Sequence, residues 1–88
     1  MGEAQARIGD RSDHGGQIIT GAARTLVNGI PAARKGDLHS CPVPGHGITA
    51  IATGSEKTTI EGQFAARIGD RTGCGAVIIS GSPNMEVG

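Results

Sequence analysis

Five side chains in this sequence can bind a transition metal. They are His14, His39, Cys41, His46 and Cys74. Imidazole nitrogen and thiolate sulfur are ligands that Zn²⁺ prefers, and a structural zinc takes four of them in a tetrahedron with no open position. Their linear spacing matches no standard zinc-finger pattern. Two alternatives therefore stand beside a metal site: unrelated polar residues in glycine-rich turns, and a Cys41–Cys74 disulfide.

The elements that must position these residues form an internal repeat. An Arg-x-Gly-Asp tetrapeptide occurs three times, and after each copy comes a short apolar segment that closes on Thr-Gly or Ser-Gly. The flanks align as well, so three units account for the chain and no residue is left for a second domain. We expect one domain over residues 1–88 with a pseudo-threefold face. Its units run from about 1–27, 28–60 and 61–88.

The repeat places the histidines and cysteines in one frame. His14 and Cys74 each lie four residues after the aspartate of their tetrapeptide. We take His46 as their counterpart in the middle unit, displaced by an insertion, and equivalent positions around a pseudo-threefold axis converge. The fourth ligand is His39 or Cys41, which face the same side of an extended segment. We predict one structural zinc held by His14, His39, His46 and Cys74, with Cys41 as the alternative fourth ligand.

The composition predicts a small domain with a weak core. The 88 residues include 16 glycines and a single aromatic residue, Phe64. Domains of this size usually need a disulfide, a metal or a partner subunit. A structural zinc contributes roughly 10–16 kcal/mol of apparent binding free energy to folding, which would offset the poor core.

Charge and hydropathy exclude several classes of partner. Eight Lys and Arg residues balance eight Asp and Glu residues, so the charge excess typical of nucleic-acid binding is lacking. No stretch approaches the roughly 20 apolar residues of a membrane span, and no apolar secretory signal begins the sequence. We expect the chain to fold in the cytoplasm, where cysteines are more often thiols or metal ligands than disulfides.

The local pattern predicts an all-β fold. Glycines interrupt every window that could carry a helical apolar stripe, whereas short Ile, Val and Thr runs bounded by turn residues predict strands of about four to six residues. Tight hairpin turns are expected at Asn28-Gly29 and Glu61-Gly62, with Met1-Gly2 at the matching position of the first unit. The Arg-x-Gly-Asp copies are interpreted as structural turns in which aspartate bonds nearby backbone and pairs with arginine.

Three related segments carry a family resemblance. The middle unit reads Pro31-Ala32-Ala33-Arg34, then Gly36-Asp37, then Cys41-Pro42-Val43-Pro44-Gly45-His46-Gly47. Phe64-Ala65-Ala66-Arg67 repeats the pattern in the third unit, and Ala4-Gln5-Ala6-Arg7 is a looser copy in the first. Over its whole length the chain resembles the PAAR-repeat family. These small conical proteins cap the spike of the bacterial type VI secretion system and of related contractile phage tails.

The resemblance implies a conical pyramid of short strands. Its base would sit on the trimeric β-helix of a VgrG-type spike protein, one chain per trimer, with a His/Cys zinc site close to the apex. The family's ligand region matches His14, His46 and Cys74, and also both His39 and Cys41. Members often carry effector domains as extensions; we expect none here, so that any effectors would be recruited through other chains.

The same resemblance implies a location and a task. The chain would be assembled in the cytoplasm and then driven by the contractile apparatus into or through the target cell envelope, meeting the target membrane only transiently. Two other functions compete with this one. A generic zinc-stabilised interaction module needs no secretion apparatus. A small zinc hydrolase needs an open water position and a general base, and we expect no enzyme because four or more candidate ligands are present without a His-Glu-x-x-His pattern.

Overall fold

The computed structural model describes residues 3–87. Within them the chain forms nine short strands and no helix, which confirms the predicted all-β class, and so no described helix could cross a membrane. Met1-Gly2, which the repeat aligns with the two hairpin turns, and Gly88, which ends the third unit, lie outside the described residues. The strands are β1 Glu3–Ala4, β2 Gln17–Ile18, β3 Leu26–Val27, β4 Ile30–Pro31, β5 Leu38–Cys41, β6 Gly47–Ala50, β7 Ser55–Ile60, β8 Gln63–Ala65 and β9 Glu86–Val87.

Two hairpins have tight turns at the predicted positions. Asn28 and Gly29 join β3 to β4 with φ of 57° and 79°, and Glu61 and Gly62 join β7 to β8 with φ of 50° and 88°. Positive φ at both turn residues is the type I′ geometry, whose twist matches that of the paired strands. A third ribbon pairs β1 with β9 antiparallel. The first and last strands therefore complete a set of three ribbons.

The core repeats three times around one axis. The backbone N–H of Ala6 donates to Ala66 at 2.9 Å, that of Ala33 to Ala6 at 2.9 Å, and that of Ala66 to Ala33 at 3.0 Å. These bonds close a ring. One buried isoleucine from each unit packs with the three alanines, namely Ile18, Ile51 and Ile78. The pseudo-threefold symmetry expected from the repeat is thus present in both hydrogen bonding and packing.

Gln5 breaks this symmetry. It occupies the position that Ala32 and Ala65 hold in the other units, and all three are fully buried. Its amide nitrogen donates to the carbonyl oxygens of Ala6 and Ala33, at 2.7 and 2.9 Å. The side chain thus reaches two of the three carbonyl oxygens of the alanine ring. The alanines at the equivalent positions of the other two units have no side-chain donor to do the same.

Each Arg-x-Gly-Asp tetrapeptide is a turn closed by its own aspartate, as predicted. Asp70 Oδ2 accepts the backbone N–H of Arg67 at 2.7 Å and its Nε–H at 3.1 Å, while the Thr53 hydroxyl donates to Oδ1 at 2.8 Å. The hydrogen bonds that Arg67 donates to Asp70 raise the pKa of Arg67 above its ordinary value. The hydroxyl belongs to the preceding unit, so each turn joins two units. The equivalent hydroxyl pairs are Thr20 with Asp37 and Ser80 with Asp10.

Removing the aspartate carboxylate of one of these turns is expected to lower the free energy of unfolding. We expect Asp70→Ala to lower the free energy of unfolding by about 1–3 kcal/mol, because it removes the acceptor of the Arg67 backbone N–H, the Arg67 Nε–H and the Thr53 hydroxyl. Chemical denaturation of the metal-loaded protein measures this. Glu86→Ala, which removes an exposed carboxylate, should stay within about 0.5 kcal/mol of the parent protein. Equal effects of the two substitutions would show that the turns do not hold the units together.

Candidate metal centre

Four of the five candidate ligands converge. The ligand atoms of His14, Cys41, His46 and Cys74 all lie within 4.8 Å of one another. Cys41 Sγ is 3.4 Å from His46 Nδ1 and 3.7 Å from His14 Nδ1, and Cys74 Sγ is 4.0 Å from His14 Nδ1. Zinc bonds of about 2.3 Å to sulfur and 2.0–2.1 Å to nitrogen require tetrahedron edges of about 3.3–3.8 Å. The four side chains therefore fit around one zinc-sized ion with only small adjustments.

The four side chains lie on the β5–β6 hairpin and on two short turns. Cys41 ends β5, and His46 directly precedes β6. The loop between them folds back as His46 N–H donates to the Val43 carbonyl at 3.0 Å, which places the His46 imidazole beside Cys41. His14 and Cys74 sit in equivalent short turns of the first and third units. Each unit thus contributes at least one member of the group.

His39 is not brought into the group. Its side chain is fully buried, and its Nε2 lies 2.8 Å from Ser12 Oγ. It follows Asp37 by two residues, a position at which the other units have Ser12 and Thr72, which are also buried. The fourth member of the group is therefore Cys41, the alternative considered above, in place of His39.

The repeat contains a signal that identifies Cys41. This residue lies four positions after the aspartate of its tetrapeptide, as do His14 and Cys74. These three are thus the symmetry-related set, and His46 is the addition that the insertion supplies. The interpretation from sequence had these roles reversed, because it treated His46 as the displaced counterpart.

Close packing beside the group depends on Gly16. A Cβ atom at this position would lie 2.2 Å from the Ser40 carbonyl oxygen and 2.7 Å from His39 Nε2. Both separations are far inside van der Waals contact, so no larger residue fits without moving β5. The approach of the Gly16 backbone sets the distance between the turn that carries His14 and the strand that carries Cys41.

A comparison with known families now bears on this geometry. The family model of the PAAR motif matches residues 8–80, which include parts of all three units. The chain belongs to the PAAR motif family. A search of curated proteins found no match.

The PAAR motif builds the axis rather than the metal group. In the middle unit Pro31 ends β4, and Ala32 and Ala33 are fully buried, with Ala33 in the hydrogen-bonded ring. Arg34 then pairs with Asp37, with Nε 2.9 Å from Oδ2. Small side chains are needed where the three units meet, and the arginine closes the turn that leads toward the metal group. The motif is therefore a structural module.

The thiol chemistry of this PAAR chain suits metal binding. Burial acts to raise the pKa of Cys74, but hydrogen bonds from Thr72 and from the Ala76 N–H outweigh it and lower the pKa from 9.0 to about 5. The thiolate is the form of cysteine that binds metals. Cys41 and Cys74 are both free, so they form no disulfide in this structure. The group offers two imidazoles and two thiols, a donor set that can hold a metal ion.

Proposed function

We propose that this PAAR chain is the tip of a type VI secretion spike, one monomer capping one trimeric VgrG-like β-helix protein. The observation that carries the proposal is the threefold repetition within a single chain, seen in the alanine ring, the isoleucine core and the three ribbons. A pseudo-threefold monomer can match a true threefold partner, with each unit facing one subunit. A single asymmetric contact would need no such repetition.

The ribbons are the surface we assign to this contact. In each unit the chain runs from a ribbon through the buried alanine and the Arg-x-Gly-Asp turn to the metal group, so we infer that ribbons and metal group lie at opposite ends. Two-stranded ribbons have free edges that can accept strands from a partner. Leu26 on β3 is 59% exposed, and Met85 beside β9 is also exposed. Apolar contact and backbone pairing would then hold the complex, with little dependence on salt.

We further propose that the metal is zinc and that its role is structural. Two imidazoles and two thiolates from His14, Cys41, His46 and Cys74 would fill a tetrahedron. No position would remain for the activated water of a hydrolase, which supports a mechanical role over an enzymatic one. The bound ion would supply stiffness to the apex, which meets the target membrane during export from the cytoplasm. Effector proteins would associate through other surfaces or other chains.

The stoichiometry of the complex tests this function. We expect native mass measurement of the chain mixed with a cognate trimeric β-helical spike protein to give one copy per trimer. Leu26→Lys should abolish the complex, because it places a charge in the apolar contact. Ile48→Lys is the matched control: Ile48 is 60% exposed but lies on β6 beside the metal group, so this variant should still bind.

Two results would contradict the capping model. Three copies per trimer would mean that the internal repeat does not match the partner's symmetry. Failure of every threefold β-helical partner to bind, with the metal retained, would favour the generic zinc-stabilised interaction module.

A further inference from the structure

The two cysteines of the metal group have different neighbours. Cys41 Sγ lies near the Nδ1 atoms of His46 and His14, its fellow candidate ligands. Cys74 Sγ has in addition a hydroxyl neighbour, Thr72 Oγ1, at 3.2 Å. Thr72 is itself almost fully buried. Within residues 3–87, Cys74 thus has a hydrogen-bonding side chain from outside the metal group beside its sulfur, and Cys41 has none.

The protonation state of Cys74 gives the direction of this contact. A cysteine binds metal as a thiolate, whose sulfur carries no hydrogen and can only accept. In the metal-bound state the Thr72 hydroxyl, 3.2 Å away, would therefore donate to Cys74 Sγ. The Thr72 oxygen is anchored at the same time, because it accepts the backbone N–H of Ala76 at 3.2 Å.

The pseudo-symmetry supplies an internal comparison. Ser12 is the counterpart of Thr72 in the first unit, and its Oγ accepts the Gly16 N–H at 3.3 Å in the same way. Its second contact, however, is His39 Nε2 at 2.8 Å, and His39 lies outside the metal group. Of the three equivalent positions, held by Ser12, His39 and Thr72, only Thr72 contacts a member of the metal group.

We propose that Thr72 is a positioning residue of the metal centre, fixing Cys74 Sγ toward the ion through its hydroxyl, so that Cys74 is the anchored thiolate and Cys41 the labile one. The proposal rests on the ligand set proposed above. A hydrogen bond to a metal-bound sulfur restricts the rotamer of the cysteine and stabilises the sulfur lone pairs. Partners of this kind typically change metal affinity by about 10–100-fold when removed.

Substitution of Thr72 tests the proposal on the full chain. We expect Thr72→Val, which keeps the shape and removes the hydroxyl, to weaken zinc binding by about 10–100-fold in competition with a chromophoric chelator. In the Co²⁺-substituted protein, the sulfur-to-cobalt charge-transfer band should move to lower energy, since the sulfur lone pairs lose a donor. Thr72→Ser should restore both properties. Ser12→Ala is the matched control: it also removes a buried hydroxyl, and it should leave affinity and spectrum unchanged.

A measurement without substitution covers the case in which Thr72→Val does not fold. In the parent protein loaded with cadmium, the Thr72 hydroxyl proton should be protected from solvent exchange and visible by NMR. Rapid exchange, or equal losses in Thr72→Val and Ser12→Ala with an unmoved cobalt band, would overturn the role of Thr72. Absence of metal from the parent protein would instead refute the metal site itself, so the two failures are distinguishable.

Discussion

Removal of the metal is expected to unfold this protein. A structural zinc contributes roughly 10–16 kcal/mol to folding, whereas small domains have a net stability of about 5–15 kcal/mol. The core here consists of alanines and three central isoleucines, so the burial of apolar side chains alone is expected to give only a small free energy of unfolding. We expect about one zinc per chain by elemental analysis of protein purified without added metal, and loss of the cooperative thermal transition when a strong chelator is present.

Restoring zinc to the chelated protein should restore the transition, which serves as the control for irreversible damage. Calcium, which prefers oxygen ligands, should not replace it. Protein that contains no metal as purified and melts at the same temperature with and without chelator would contradict the proposed centre.

The second prediction with a large effect tests whether Cys41 or His39 is a metal ligand. We expect Cys41→Ser and Cys74→Ser to lose zinc and to melt far below the parent protein, because each removes one of four ligands. His39→Asn should also be destabilised, since it disturbs a fully buried side chain that contacts Ser12. It should nevertheless keep about one zinc per chain. Metal content per chain of each purified variant, rather than its melting temperature, is the deciding quantity.

The ranking can come out the other way. If His39→Asn loses zinc while Cys41→Ser retains it, the ligand set is the one first predicted from the sequence, and the side chains rearrange when the metal binds. Loss of zinc in both variants would mean that metal binding depends on the packing beneath the group as much as on the ligands themselves.

Much of this protein is determined by local sequence patterns. Asn28-Gly29 specifies a type I′ turn because both residue types tolerate positive φ, and the structure has this turn. Glu61-Gly62 has the same turn although only its glycine tolerates positive φ readily. The three Arg-x-Gly-Asp copies specify turns because an aspartate three residues after arginine can reach back to its N–H. The repeat of these patterns determines the pseudo-threefold axis, and with it the convergence of His14 and Cys74.

The tertiary structure decided which middle-unit side chains join them. His39 and Cys41 are two residues apart on β5 and face the same side, so alternation along a strand cannot separate them. Their positions along the pseudo-threefold axis do separate them. His39 lies opposite Ile18 in the pairing of β2 with β5, and its imidazole contacts Ser12 there. Cys41 lies two residues farther along β5, opposite Gly47 of β6. There the loop between the two strands places His46 next to the Cys41 sulfur. Strand alternation does not encode this position, because it depends on contacts between units that are distant in sequence. In the sequence, the offset of four residues from Asp37 is the signal that points to Cys41.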